Sequence, residues 1–187
     1  MIYSAIISHY YTERNKLYDI FFTHSRHVAD YALECASKHP ELNLNLELVE
    51  NGAMLHDIGI IQCHAPGIDC FGTENYICHG TLGASMLRTD HSIFGLSSEE
   101  IEPYARICER HTGTGLTVSQ IEKRGLPLPH CDFSPETLEE KLVCYADKFF
   151  SKTHPDRKKT FEHALHSIER FGDEGVERFK EWHALFG

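Results

Sequence analysis

The sequence predicts an all-α fold, and three observations carry the prediction. Apolar residues recur at the helical spacing of i, i+3, i+4 and i+7 through most of the 187 residues. Helix-start signals stand at Ser97-x-x-Glu100 and at Ser134-Pro135-Glu136. No segment shows the alternating pattern of a strand. The chain is expected to form one domain over 1–187, with a core from about 20 to 152 and a C-terminal helical appendage from about 153 to 187.

Residues 2–22 read as one or two short helices. The helix containing Phe21 runs to about Lys38 and is stopped by Pro40. Its buried face is Phe21, His24, Val28, Ala32 and Cys35, which puts His24 within the stripe and His27 to its side. A helix over about 45–58 follows, with Val49, Ala53 and His56 on one face and Gly59 as its stop. His56 and Asp57 therefore sit together at its last turn. Residues 60–75 read as a loop, which contains His64 and leaves directly from that turn.

A helix over about 75–88 places His79, Leu82, Gly83 and Met86 on one face. The helix capped at Ser97 has the stripe Ile101, Tyr104, Ala105, Cys108 and His111, and Thr112-Gly113-Thr114-Gly115 ends it. A short helix spans about 117–124. The next is capped by Ser134 with Pro135 at its first position and reaches about Ser151; Asp147 and Lys148 are the polar exceptions on its apolar second half. Two amphipathic helices, about 156–171 and 175–185, close the chain and read as a packing appendage without chemistry.

Composition bounds the function. Hydrophobic residues make up 41% and charged residues 25%, as in ordinary soluble domains. The net charge of −10 argues against a nucleic-acid polymer as partner. No stretch suits a bilayer, the first residues lack a signal peptide's basic region, and the 7 cysteines include no CxxC pair. A cytoplasmic protein with reduced thiols is the expectation, and oligomeric state is not readable.

The 14 histidines stand out. Four of them, His24, His56, His79 and His111, fall on the buried faces of separate helices, joined by Asp57 and Asp147. A buried carboxylate is costly unless paired or bound to a cation. One such histidine is best read as a satisfied core residue; four with two carboxylates favour a metal site. Mixed His and Asp donors suit Fe, Mn, Zn, Ni or Co.

The set resembles the HD-domain (HDIG) superfamily of metal-dependent phosphohydrolases. The matching residues are His24 with Val28, Leu55-His56-Asp57-Ile58-Gly59, and Tyr145-Ala146-Asp147-Lys148, over roughly residues 20–152. His111–Thr117 and Pro135–Lys141 are similar to stretches of small single-domain HDIG proteins. The resemblance implies a helical bundle around an internal site with two divalent ions, Fe or Mn first. His24, His56, Asp57 and Asp147 would hold one ion. His79 and His111 would hold the other, with Asp57 bridging. It also implies hydrolysis of a phosphoester or phosphoanhydride of a small phosphorylated molecule, possibly a nucleotide, with His56, Asp57 and Lys148 as catalytic residues.

The chain departs from relatives in three places. Ile60 stands where many have a lysine after HDIG. His27 stands where arginine is common. The GYP element is missing after His111, which argues against cyclic di-GMP hydrolysis. Phosphate contacts are then expected from His27, His64, Arg110 or Lys148, or from the ions. Two other functions stay open: a di-iron oxygenase on the same fold, and a non-catalytic ligand-binding domain that retains the metal site.

Overall fold

The computed structural model describes residues 2–154 and 157–187. It is all-α, as the periodicity predicts. The helices are α1 (Ile2–Tyr10), α2 (Lys16–Lys38), α3 (Leu46–Leu55), α4 (His79–Asp90), α5 (Ser98–Arg110), α6 (Val118–Arg124), α7 (Leu138–Asp147), α8 (Phe161–Ile168) and α9 (Asp173–Phe186). Helix α3 lies between α2 and α5, α4 runs along α5, and α7 packs on α2, α3 and α5. Helices α8 and α9 pack on each other, and α9 also lies against α7. No helix among the described residues is long and apolar enough to cross a membrane.

The predicted stripes are the buried ones. Phe21, Val28, Ala32 and Cys35 of α2 are buried with Val49 and Ala53 of α3 and Ile101, Ala105 and Cys108 of α5. Removing such side chains from water is the main stabilising term of the bundle. Ser97 caps α5 in a reciprocal capping box with Glu100, as expected.

Several boundaries differ from the sequence reading. The cap of α7 is Thr137, not Ser134. The Glu140 carboxylate accepts from the amides of Glu136 (2.6 Å) and Thr137 (3.4 Å), which completes a Thr-x-x-Glu capping box and outweighs the Ser-Pro signal. The Ser134 amide instead donates to the Asp132 carboxylate. Helix α7 also stops at Asp147 rather than near Ser151, with Lys148 as its C-cap. Helix α3 ends at Leu55, so His56 is a C-cap residue and Ile58–Gln62 forms a 3-10 turn.

The loop after that turn holds two short strands, β1 (His64–Ala65) and β2 (Cys70–Phe71), paired antiparallel. Two residues are too few for alternation to show in sequence. A 3-10 turn, Tyr76–Cys78, precedes α4, so His79 opens α4 instead of lying inside a longer helix. Of the helix expected from 156, residue 156 lies outside the described residues, and α8 begins at Phe161 with Thr160 as its cap.

Glycines allow the closest approach near the HD dipeptide. A Cβ on Gly59 would overlap the His79 carbonyl oxygen and the Gly83 amide nitrogen. The 3-10 turn and α4 therefore touch backbone to backbone, and this contact sets His79 beside Asp57.

Candidate metal centre

The six residues singled out by periodicity converge on one point. His24 comes from the middle of α2, and His56 and Asp57 follow the end of α3. His79 opens α4, His111 caps the end of α5, and Asp147 ends α7. All six are buried, His56 and Asp57 completely.

The donor atoms form two sets that share Asp57. On one side, His24 Nε2 lies 3.2 Å from Asp57 Oδ2 and 3.0 Å from Asp147 Oδ1. His56 Nε2 lies 3.1 Å and 3.5 Å from the same two oxygens. On the other side, Asp57 Oδ1 lies 3.3 Å from His79 Nε2 and 3.4 Å from His111 Nε2, and those two nitrogens are 2.9 Å apart. Neighbouring ligands of one ion with bonds of about 2.1 Å stand roughly 3 Å apart, so these spacings suit shared cations.

The histidine tautomers point the same way. Nδ1 of His56, His79 and His111 each lies 2.6 Å from a backbone carbonyl three residues earlier, of Ala53, Tyr76 and Cys108. A carbonyl only accepts, so each Nδ1 carries the hydrogen, and in the neutral ring Nε2 keeps a bare lone pair. Such a bond to the far nitrogen is how metal-bound histidines are oriented. His24 is the exception: neither ring nitrogen has a hydrogen-bond partner. His56 Nε2 and both Asp57 oxygens are likewise buried without a properly directed hydrogen bond, despite their short distances to charged groups. Orphaned buried donors and acceptors meeting at one point fit a bound divalent cation.

Charge within the cluster is uneven. Burial opposes ionisation of Asp57, but His56 and Lys152 outweigh it and hold the carboxyl well below the usual range. Asp147 is likewise held low: burial is outweighed by Lys148 and by the close approach of His24 and His56. Burial also disfavours a charged His56, yet Asp57 and Asp147 raise it to about 9. His79 is pushed down to about 3 by burial and then by His111. His111 is lowered by burial as well. The two halves thus differ: one draws a proton in the absence of metal, and the other excludes it.

The cluster forms the floor of a cleft of about 940 Å³. His79, His111 and Asp147 reach it, while His24, His56 and Asp57 lie deeper. Of the residues expected to contact substrate, Lys148 lines the cleft, with Nζ 2.6 Å from Asp147 Oδ2 and 2.8 Å from the His111 carbonyl. The structure does not bring the other three there. His64 is exposed on β1 while its neighbour Ala65 lines the cleft, because successive strand residues face opposite ways. His27 packs against Phe150, with ring centroids 5.5 Å apart. Arg110 is turned one helical step from His111 and is tied to Glu136 at 2.9 Å.

Lys152 was not legible in the sequence. Its Nζ lies 2.6 Å from Asp57 Oδ2 and it borders the cleft. Its only sequence signal is its spacing, one turn beyond Lys148, and α7 has already ended there. Tyr76 was missed for a similar reason, since it sits in a 3-10 turn. Its ring stacks on His79, with centroids 4.7 Å apart.

The HD domain family model matches residues 21–151. The chain belongs to the HD-domain family. As an HD domain it carries the family's His and Asp residues in an arrangement compatible with divalent metal. It is 37% identical over 132 residues to an uncharacterized protein of Methanocaldococcus jannaschii, covering 70% of this chain and 66% of that one. It is also similar to the tRNA (cytidine(56)-2'-O)-methyltransferases of Picrophilus torridus and Thermoplasma volcanium. The identities are 34% and 28%, over 71% and 88% of this chain but only 32% and 41% of those proteins. The HD domain thus spans less than two thirds of each of these three relatives. Among solved structures, the L. monocytogenes phosphodiesterase PgpH HD domain shares the fold, with a TM-score of 0.51 at 18% identity over 87% of this chain and 89% of that one.

Proposed function

We propose that this HD domain is a metal-dependent phosphohydrolase acting on a small phosphorylated molecule, a nucleotide being the class that suits the cleft. The observation that carries the reading is the set of inward-facing imidazole Nε2 atoms and Asp57 oxygens, gathered without directed hydrogen bonds on His24, His56 and Asp57, beneath a cation-lined cleft. His24, His56, Asp57 and Asp147 would hold one divalent ion, and His79, His111 and the second oxygen of Asp57 another. Fe and Mn are the first candidates, and Zn, Ni and Co also suit the donors. Bound ions of this kind supply an activated water and offset charge on phosphoryl oxygens.

The protein groups have separate tasks. The carbonyls of Ala53, Tyr76 and Cys108 fix three imidazoles with Nε2 inward. Lys148 is held by Asp147 and the His111 carbonyl with its ammonium at the cleft, where it can contact a phosphate oxygen. Lys152 compensates Asp57 and borders the same space. Such local cations allow an acidic protein to accept an anionic substrate.

The test is metal analysis of the purified protein followed by a phosphate-release screen over nucleotides and phosphomonoesters. Release that stops on chelation and returns with Mn or Fe supports the proposal. Oxygen uptake with no metal-dependent release would replace it with the di-iron oxygenase reading. Neither activity, with metal bound, would favour a non-catalytic ligand-binding domain.

A further inference from the structure

The C-terminal region, read from sequence as a packing appendage, forms part of the cleft wall. Lys159, His166, Arg170 and Phe171 all line it, and all lie beyond the matched residues 21–151. Arg124, at the end of α6, joins them. The cleft therefore gathers five Lys and Arg side chains, Arg124, Lys148, Lys152, Lys159 and Arg170, against one carboxylate, Asp147. In a chain of net charge −10 this is a local reversal of sign.

The five cations divide by what they touch. Lys148 and Lys152 are paired with the carboxylates of the cluster, and Lys159 donates to the Lys148 carbonyl at 3.2 Å. Arg124 and Arg170 instead flank the ring of Phe171, at 5.3 Å and 4.8 Å from its centroid. Three other arginines are matched to acids: Arg26 holds Asp30 and Glu50, Arg88 holds Glu102 and Glu109, and Arg106 holds Glu136 and Glu140. Arg14 lies over the Tyr18 ring and Arg178 donates to Ser134 Oγ and the Gly115 carbonyl, both away from the cleft lining. Arg124 and Arg170 pair with no carboxylate among the described residues.

Phe171 is itself held in place. Its backbone carbonyl accepts from Gln120 Nε2 at 2.9 Å, which ties it to α6. Its ring lies over Gly113, two residues past His111, so closely that a Cβ at Gly113 would meet it at 3.1 Å. Gly113 also has φ +63, which disfavours any other residue. The ring is thus pinned beside the loop that follows a cluster histidine, with a guanidinium near it from each of two segments.

We propose that Arg124 and Arg170, positioned by Phe171, form a second phosphate subsite, so that the substrate carries a further phosphate besides the one at the cluster. Guanidinium groups suit phosphate because their planar donors match two oxygens at once. A cleft of about 940 Å³ has room for a nucleoside with a chain of two or more phosphates. The inference rests on the reading of the cleft as a phosphohydrolase substrate site. It narrows that reading from phosphorylated molecules in general to those bearing at least two phosphates.

The test compares AMP with α,β-methylene-ADP, a diphosphate analogue that resists cleavage, by calorimetric titration of the purified protein at recorded metal content. The wild type is expected to bind the diphosphate analogue at least tenfold more tightly. Arg124→Ala and Arg170→Ala should each cut that ratio severalfold, and the double variant should bring it close to one. Phe171→Leu should reduce the ratio and Phe171→Tyr should keep most of it. Metal content should stay at the wild-type level in all of them, because none of these side chains touches the cluster. Equal binding of the two probes by the wild type overturns the proposal, as does a preference that survives the double substitution. Hydrolysis is judged separately by metal-dependent phosphate release from ADP and ATP by the wild type. If that fails while the binding preference and its loss are observed, the subsite stands and the phosphohydrolase reading falls.

Discussion

His79 and His111 face each other with their Nε2 atoms 2.9 Å apart while both Nδ1 atoms are committed to backbone carbonyls. Neither neutral ring has a hydrogen to place between them, so two lone pairs are pressed together. A shared cation would relieve that repulsion. Asp57 Oδ1 lies within 3.4 Å of both nitrogens, while Oδ2 faces His24 and His56.

Metal stoichiometry should separate the two halves. His79→Ala and His111→Ala are each expected to leave roughly one metal equivalent, held by His24, His56, Asp57 and Asp147, with hydrolysis lost because two-ion stabilisation is lost. Asp57→Ala should remove or scramble both ions. His163, exposed on α8 and not among the cleft-lining residues, is the control. Elemental analysis of each variant checks this. Wild-type stoichiometry in both histidine variants would mean a one-metal HD domain.

Metal uptake should release protons near pH 7.5. His56 is raised to about 9 in the metal-free cluster, so its imidazole is charged there and must give up the Nε2 proton to bind an ion. Calorimetric titration of one metal in buffers of different ionisation enthalpy should show a buffer-dependent heat that fades above about pH 9. The metal-free protein should show the linked stability effect. A folded pKa raised above the ordinary 6.5 gives stability that is complete below that pH and lost as pH climbs through about 9. A heat independent of buffer would contradict the assignment.

Lys152→Met should destabilise the metal-free protein far more than the metal-loaded one. The ammonium compensates a fully buried Asp57 carboxylate at 2.6 Å. Removing one partner of a buried pair costs about 3–5 kcal/mol. Bound metal supplies the missing charge and should recover most of that loss. Thermal melts with and without metal give the comparison; equal losses in both would show that Lys152 does not serve Asp57.

Gly59→Ala should be among the most damaging single-methyl changes in the chain. The added carbon has nowhere to go between the His79 carbonyl and the Gly83 amide, both of which are backbone. Separating α4 from the turn would move His79 away from Asp57, so metal content at the second set should fall together with stability. A variant that melts within a degree or two of wild type and keeps its metal would refute this account of the contact. Gly67→Ala, where an added Cβ meets nothing within 4 Å, is the matched control.

The helical skeleton and the six cluster residues were legible because both depend on periodicity. His24, His56, His79 and His111 each sit where a buried stripe passes, and Asp147 is conspicuous on an apolar helix. Features that depend on packing between distant segments were not legible. Lys152 follows the end of α7, where no helical period applies, and only the fold brings it to Asp57. The cap of α7 was misplaced because Ser134-Pro135 and Thr137-x-x-Glu140 both read as helix starts, and the Glu140 carboxylate decides between them in three dimensions. The C-terminal helices read as amphipathic packing units, and that reading held for Phe179 and Trp182, which are buried. It missed Arg170 and Phe171, which lie between α8 and α9 in a 3-10 turn that periodicity does not resolve.

The six cluster residues come from five separate places in the chain, and only His56 and Asp57 are neighbours. An unfolded chain therefore offers an ion almost nothing to grip, and the complete donor set exists only once α2, α3, α4, α5 and α7 have assembled. Metal affinity is then stability affinity: free ion at a hundred times its Kd adds about 2.7 kcal/mol to the native state. The melting temperature of this HD domain would follow metal availability, and scarcity would expose the chain to proteases before any question of turnover arose.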